Sequence, residues 1–276
     1  MGTSPIAGKV QTVLGPVDPE SLGPTITHEH LLIDFTVVFM EPSNTDDAGL
    51  ARENLSLGNL GWIRHNWNSS LDNLRLLDEG VATSEAAKYF EAGGRTMVDV
   101  TSNGLGRDPE ALARISRGTG LNVVMGGGHY ISATHPAEFE AFTAEDIAET
   151  IIRDIEVGAD GTDIRTGIIG EVGVSSPWND SERKTVQAAV IAQNQTGAPV
   201  LIHPGRDEEL PRQILDAMAE WGGDMSHTVM GHIERTIYSR DALKRVADTG
   251  AYLNFDLFGH DSSFYPLAPY SYMPND

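Results

Sequence analysis

The hydrophobic and polar positions of this chain alternate between two kinds of segment. Short runs rich in β-branched residues are followed by longer stretches with the spacing of amphipathic helices, and this order recurs from about residue 83 onward. Such alternation is typical of βα units, which build a parallel sheet with helices packed against it. We predict seven strands, at residues 24–31, 96–102, 122–130, 166–175, 198–204, 226–233 and 251–258.

The number and order of these units indicate the architecture. A series of right-handed crossovers between parallel strands either closes into a barrel of eight strands or winds into an open sheet. The pattern therefore predicts an α/β fold, a TIM-type (β/α)8 barrel in a single domain of residues 1–276. We expect strand 8 to be missing from this chain, because residues 259–276 are too irregular and proline-bearing for a closing strand and helix.

The segment from residue 35 to residue 82 departs from the repeat. It is long, rich in asparagine and marked by Trp62 and Trp67. Because long loops at the strand ends of a barrel usually shape a pocket, we expect this segment to border the site.

The composition narrows the classes of partner. The 40 acidic against 19 basic side chains give a formal net charge of -21, which repels nucleic acid and anionic membrane surfaces. The sequence contains no cysteine, which excludes a disulfide, a thiolate nucleophile and a cysteine-bound zinc. No apolar run reaches membrane-spanning length. We expect a cytoplasmic protein that acts on a small molecule, with the oligomeric state open and a homodimer among the alternatives.

The sharpest local motif is the pair His28 and His30 at the end of the first predicted strand. Side chains alternate between the faces of an extended strand, so both imidazoles point to one side, into the barrel mouth. Two imidazoles on one face can chelate a metal, although surface or core histidines often give the same spacing.

Three further ligand-type residues end other predicted strands. Glu171 lies within an apolar strand that would reject a carboxylate lacking a partner or a metal, and His203 and His232 each close an apolar run. A hydrogen-bonded core histidine is the alternative for each one alone, but their common position at the catalytic rim of a barrel favours a site. Four histidines and one carboxylate exceed the needs of one tetrahedral zinc and suit two divalent ions bridged by Glu171. The expected reaction is metal-assisted hydrolysis, without a protein nucleophile.

The motifs around these residues resemble a known family. Residues 8–16, 27–31, 167–171, 202–206, 231–232 and 256–259 are similar to those of phosphotriesterase-related proteins in the amidohydrolase superfamily. The resemblance implies that His28 and His30 hold the first metal, that His203 and His232 hold the second, and that Glu171 bridges them. Zinc is the expected ion, and small amides of N-acyl amino acid or N-acyltaurine type are the expected substrates.

Two departures from the family pattern limit this comparison. Family members take the proton from water with an aspartate that ends the eighth strand, so we expect the general base to be absent from this chain and leave the catalytic residue unknown. Phosphotriesterases relay protons through residues that correspond here to Arg235 and Leu257. This weakens the case for phosphotriester hydrolysis.

Other residues near the rim are assigned more loosely. Arg206 and Arg235 are candidates for binding an anionic group of the substrate, the alternative being ion pairs with Asp207 or Glu234. Tyr130 is a candidate for orienting a substrate carbonyl, and a packed tyrosine is the alternative. Asp256 is expected to support the metal ligands or to be structural.

Three functions follow from these expectations. The leading one is a metal-dependent hydrolase of a small amide or ester. The second is a lactonase with side activity on phosphotriesters. The third, motivated by the absent eighth-strand aspartate, is a non-catalytic protein that binds a metal or a ligand.

Overall fold

The computed structural model describes residues 7–258 as eleven strands and eight α-helices joined by short 3-10 turns. The strands are β1 (Val10–Thr12), β2 (Gly15–Val17), β3 (Thr25–Glu29), β4 (Ile33–Asp34), β5 (Arg75–Leu76), β6 (Thr96–Asp99), β7 (Asn122–Gly127), β8 (Ile168–Gly173), β9 (Val200–His203), β10 (Thr228–Met230) and β11 (Tyr252–Leu253). The helices are α1 (Leu60–His65), α2 (Glu79–Glu91), α3 (Pro109–Thr119), α4 (Ala144–Glu156), α5 (Asp180–Thr196), α6 (Leu210–Glu220), α7 (Ile233–Thr236) and α8 (Arg240–Ala247).

Seven of these strands form one parallel sheet in the order β3-β6-β7-β8-β9-β10-β11. Neighbours in the sheet follow one another along the chain, with helices between them, as in a (β/α)8 barrel. The seven predicted strands are therefore confirmed in order. Each is shorter than predicted, at its carboxyl end or at both ends, and the residues that follow its carboxyl end contribute to the rim.

The two edge strands of this sheet curl towards each other. The hydroxyl of Thr27 in β3 donates to the side-chain oxygen of Asn254, just after β11, at 3.1 Å. The predicted absence of an eighth strand concerns residues after Phe258, which lie outside the described residues.

The helices end where the sequence places suitable caps. Thr143 and Asp146 form a reciprocal capping box at the start of α4. Asn179 caps α5, which ends at Gly197 with a φ of 76°. Helices α4 and α5 pack outside the sheet through buried aliphatic side chains such as Ile151 and Val190.

The amino-terminal end of the barrel is closed by the β1–β2 hairpin. Val10 packs on an interior cluster that includes Val124, Ile168 and Leu201. At Gly167 a side-chain carbon would lie 2.3 Å from the carbonyl oxygen of Gln11, so only glycine allows this approach. The carboxyl ends of the strands are left as the open face. No helix within residues 7–258 has both the length and the apolar composition needed to cross a bilayer.

Candidate metal centre

The five residues predicted as metal ligands meet at the carboxyl end of the sheet. Each imidazole has a ring nitrogen within hydrogen-bonding or ion-pair distance of the Glu171 carboxylate, which is only 2% exposed. The distances to the nearest carboxylate oxygen are 3.3 Å for His28 Nε2, 3.4 Å for His30 Nε2, 2.8 Å for His203 Nδ1 and 3.3 Å for His232 Nε2. Oε1 faces His30, whereas Oε2 faces the other three.

Local backbone geometry explains how His232 reaches the cluster. His232 has a φ of 54°, in the left-handed region that non-glycine residues rarely adopt. Such a conformation costs about 1–3 kcal/mol and is found mainly where the surroundings enforce it, often at functional sites. The preceding Gly231 allows the close approach, since a side-chain carbon there would lie 3.0 Å from the carbonyl oxygen of Ile202.

Asp256 is a second carboxylate at the centre. It accepts a hydrogen bond from His232 Nδ1 at 2.7 Å and from the His232 backbone N–H at 3.1 Å. It also lies 3.1 Å from His28 Nδ1 and accepts a hydrogen bond from the Asn254 side-chain amide at 3.0 Å. Burial lowers the pKa of His28, but the carboxylates of Glu171 and Asp256 outweigh this and raise it to about 10. The site therefore strongly favours positive charge.

The remaining titratable groups are set by the same surroundings. Burial raises the pKa of Glu171, yet the imidazoles around it, His203 and His28 foremost, hold it well below its ordinary value. Burial, together with the charge of Arg235 and the nearness of His232, holds the pKa of His203 well below the usual range. The pKa of His232 is lowered as well, first by burial and then by Arg235. His203 and His232 are therefore neutral, the form in which an imidazole binds a metal.

The geometry fits a bound divalent ion. Ligand atoms of His28, Glu171 and His232 all lie within 4.8 Å of one another. Both ring nitrogens of His28 are buried, and neither makes a hydrogen bond of acceptable geometry. Buried polar atoms left in this way cost about 1–3 kcal/mol each, a cost that coordination to a metal removes. Imidazole and carboxylate donors suit zinc and similar first-row ions.

A cavity of about 740 Å³ opens beside the cluster, and all three residues predicted to bind substrate line it. The hydroxyl of Tyr130 lies 3.1 Å from His203 Nε2, and its pKa is raised well above the ordinary value by burial. The guanidinium of Arg235 donates to the same ring nitrogen at 3.1 Å. Arg206 lines the cavity near them.

Arg235 does not form the ion pair with Glu234 that the sequence offered as an alternative. Its side chain is buried and donates to the Pro204 carbonyl and the Thr236 hydroxyl, at 3.3 and 3.1 Å. Glu234 instead accepts the backbone N–H of Leu257 at 2.6 Å.

Burial, together with the charge of Arg235, lowers the pKa of Arg206 to about 9. Two guanidinium groups therefore give this end of the cavity a positive potential.

Sequence reasoning missed several residues that hold the site in place. Thr101 Oγ1 lies 3.0 Å from His30 Nδ1, and the fully buried Asp99 accepts the backbone N–H of Leu31 at 2.7 Å. Glu182, also fully buried, accepts hydrogen bonds from Ser132 and Ser175 on two rim loops. For Asp99 and Thr101, position at the end of a predicted strand was an available signal.

Comparisons with known proteins agree with this geometry. The model of the phosphotriesterase family matches residues 8–273. N-acetyltaurine hydrolase from Homo sapiens is 43% identical over 274 residues, which cover 99% of this chain and 78% of that protein. A resiniferatoxin-binding protein from Rhodobacter sphaeroides superposes with a TM-score of 0.93 at 36% identity, over 98% of this chain and 75% of that chain.

A second solved structure is the phosphotriesterase homology protein from Escherichia coli, complexed with phosphate in its active site. It superposes with a TM-score of 0.69 at 26% identity, over 88% of this chain and 73% of that chain. The resemblance and the barrel fold inferred from the sequence are both confirmed. The chain belongs to the phosphotriesterase family.

Proposed function

We propose that this protein is a metal-dependent hydrolase that cleaves the amide bond of a small N-acyl amine carrying an anionic group. The observation that carries the proposal is the convergence of four imidazoles on the buried carboxylate of Glu171, beside a cavity with two guanidinium groups. A relative named N-acetyltaurine hydrolase supports both the reaction and the anionic substrate, because taurine carries a sulfonate.

In this proposal the centre would hold two zinc ions. His28 and His30 would be the ligands of one ion, His203 and His232 those of the other, and Glu171 would be shared between them. Bound metal would supply an activated water and a Lewis acid for the substrate oxygen. Asp256 accepts a hydrogen bond from His232 Nδ1 and so fixes the orientation of the ring. Carboxylates commonly orient metal-binding imidazoles in this way.

The substrate would be placed by residues on the cavity wall. Arg235 and Arg206 supply the positive charge that binds a sulfonate or carboxylate, and a guanidinium can bind either group through two parallel hydrogen bonds. The Tyr130 hydroxyl lines the cavity 3.1 Å from His203 Nε2, where it can orient the acyl carbonyl. The lack of cysteine supports the reducing cytoplasm as the location.

Replacement of Glu171 by glutamine tests the centre. A neutral amide cannot bridge two dications, so Glu171→Gln should lower bound zinc from two equivalents to one or none, measured by elemental analysis after dialysis. The control is Glu149→Gln, which changes an exposed carboxylate on α4. Undiminished zinc in Glu171→Gln would make Glu171 a structural residue.

The substrate class is tested on the parent protein with three compounds. We expect hydrolysis of N-acetyltaurine to exceed that of a simple lactone and of a phosphotriester in kcat/KM. Arg235→Met should raise KM for N-acetyltaurine more than for an uncharged N-acetyl amide. A preference for the lactone would reject the amide assignment.

A further inference from the structure

We infer that the segment from residue 33 to residue 76 forms a subsite for an acyl group larger than acetyl, such as a medium-length alkyl or an aryl-acetyl group. The inference rests on the proposed function. It assigns a role to the apolar side chains of the cavity lining, which the proposed function leaves unused.

The first support is the composition of the cavity lining. Arg206, Arg235 and His203 contribute polar groups to it. Residues 33–76 contribute six apolar side chains, Ile33, Phe35, Val38, Trp67, Leu74 and Leu76. The guanidinium groups can therefore bind an anionic amine, while the acyl group attached to it meets apolar surface.

The second support is a continuous row of rings that leads away from the metal centre. The ring centroids of His203 and Tyr130 are 4.9 Å apart, and those of Tyr130 and Phe35 are 5.9 Å apart. Phe35 stacks on Trp67 with an angle of 13° between the planes and 6.4 Å between the centroids. A chain bonded to the reacting carbonyl has an aromatic surface along its path.

The third support is size. The cavity has a volume of about 740 Å³, within the range of sites that bury drug-sized ligands. A substrate as small as an N-acetyl amine would leave much of this space to water. Phe35, Val38 and Trp67 are only half-buried, so a longer acyl group would remove apolar surface from water.

The wall is also fixed in position by backbone contacts. Ile33 pairs with Leu76 in the β4–β5 ladder, and the Phe35 N–H donates to the Leu74 carbonyl at 2.8 Å. The side chain of Asn73 donates to the Trp67 carbonyl at 3.0 Å. A preformed wall loses little entropy when it binds a ligand, and this increases its contribution to binding.

The experiment measures kcat/KM of the parent enzyme for N-acyltaurines with acetyl, butyryl, hexanoyl and phenylacetyl groups. One methylene group in an apolar pocket changes kcat/KM by about tenfold or more. We therefore expect kcat/KM to rise at least tenfold from the acetyl to the hexanoyl substrate, mainly through a lower KM. Trp67→Ala and Phe35→Ala should each reduce the hexanoyl-to-acetyl ratio at least fivefold. Trp67→Phe, which keeps an aromatic ring, should retain most of the parent hexanoyl-to-acetyl ratio.

The control is Leu57→Ala, which changes a side chain of the same segment that is 93% exposed and does not line the cavity. It should leave the hexanoyl-to-acetyl ratio unchanged. A ratio at or below one in the parent enzyme, with N-acetyltaurine still hydrolysed, would overturn the acyl subsite and leave the proposed function standing. If no N-acyltaurine of the series is hydrolysed, the proposed function fails and the subsite fails with it.

Discussion

Removal of the Glu182 carboxyl group should destabilise the protein more than any exposed carboxylate would. Glu182 lies in the first turn of α5 and is fully buried. Its Oε1 accepts the Ser132 N–H at 3.0 Å and the Ser175 hydroxyl at 2.6 Å, and its Oε2 accepts the Ser175 N–H at 2.9 Å. One side chain thus joins α5 to the loops after β7 and β8, both of which border the cavity.

The size of the effect follows from these contacts. Glu182→Ala leaves two partly buried backbone N–H groups without their acceptor, at about 1–2 kcal/mol each, and adds a cavity, for a total of about 3–6 kcal/mol. At roughly 2–4 °C per kcal/mol for a large domain, Tm should fall by about 10 °C. Glu182→Gln keeps an oxygen at the Oε1 position and loses only the contact with the Ser175 N–H. Its loss should be about 1–3 kcal/mol.

Thermal unfolding of the two variants and the parent by differential scanning calorimetry measures this order. Glu149→Ala is the matched control, since Glu149 is an exposed glutamate on α4 and should change stability by less than about 0.5 kcal/mol. If Glu182→Gln were as damaging as Glu182→Ala, or if Glu182→Ala cost less than about 1 kcal/mol, the assignment of Glu182 as the acceptor joining these loops would be refuted.

Three further predictions concern His129, Arg107 and Asp256. Burial lowers the pKa of His129 to about 3. As the pH falls below about 6.5, the unfolded chain therefore takes up a proton on this imidazole that the folded chain does not. The free energy of unfolding should fall between pH 6.5 and pH 3, by up to about 1.4 kcal/mol per pH unit. His129→Gln should lack this slope in urea unfolding between pH 6.5 and 5, and curves parallel to the parent would contradict it. Arg107→Met should cost about 3–5 kcal/mol, because the buried Asp154 carboxylate loses the buried guanidinium 2.8 Å away and keeps only the exposed Arg153 at 3.6 Å. Adding Asp154→Asn should recover part of the loss in the same assay, and no recovery would count against the pair. Asp256→Asn should weaken zinc binding about 10–100-fold in a chelator competition titration, because the amide supports His232 less well. Equal affinity would show that Asp256 does not act on the metal site.

The sequence determined the order of strands and the residues that meet at their ends. Both follow from local periodicity: alternation along β3 and the residue after it brings His28 and His30 to the Glu171 side, and parallel strands bring Glu171, His203 and His232 to one rim. The apolar run around Glu171 also marked it correctly as a buried carboxylate. These are properties of short windows, which a sequence displays directly.

The tertiary structure alone decided how distant segments complete the site. Residues 33–76 carry no period that predicts their course. The length of this segment indicated that it borders the site, but only the packing of Phe35 and Trp67 beside Tyr130 shows which of its side chains line the cavity. The partner of Arg235 was ambiguous in sequence, because a guanidinium beside an acidic neighbour can turn to either side. The fold decides which partner Arg235 has. Arg235 is buried against His203, while the Glu234 side chain accepts the backbone N–H of Leu257. Contacts of this kind depend on where loops meet in space, and spacing along the chain does not encode that distance.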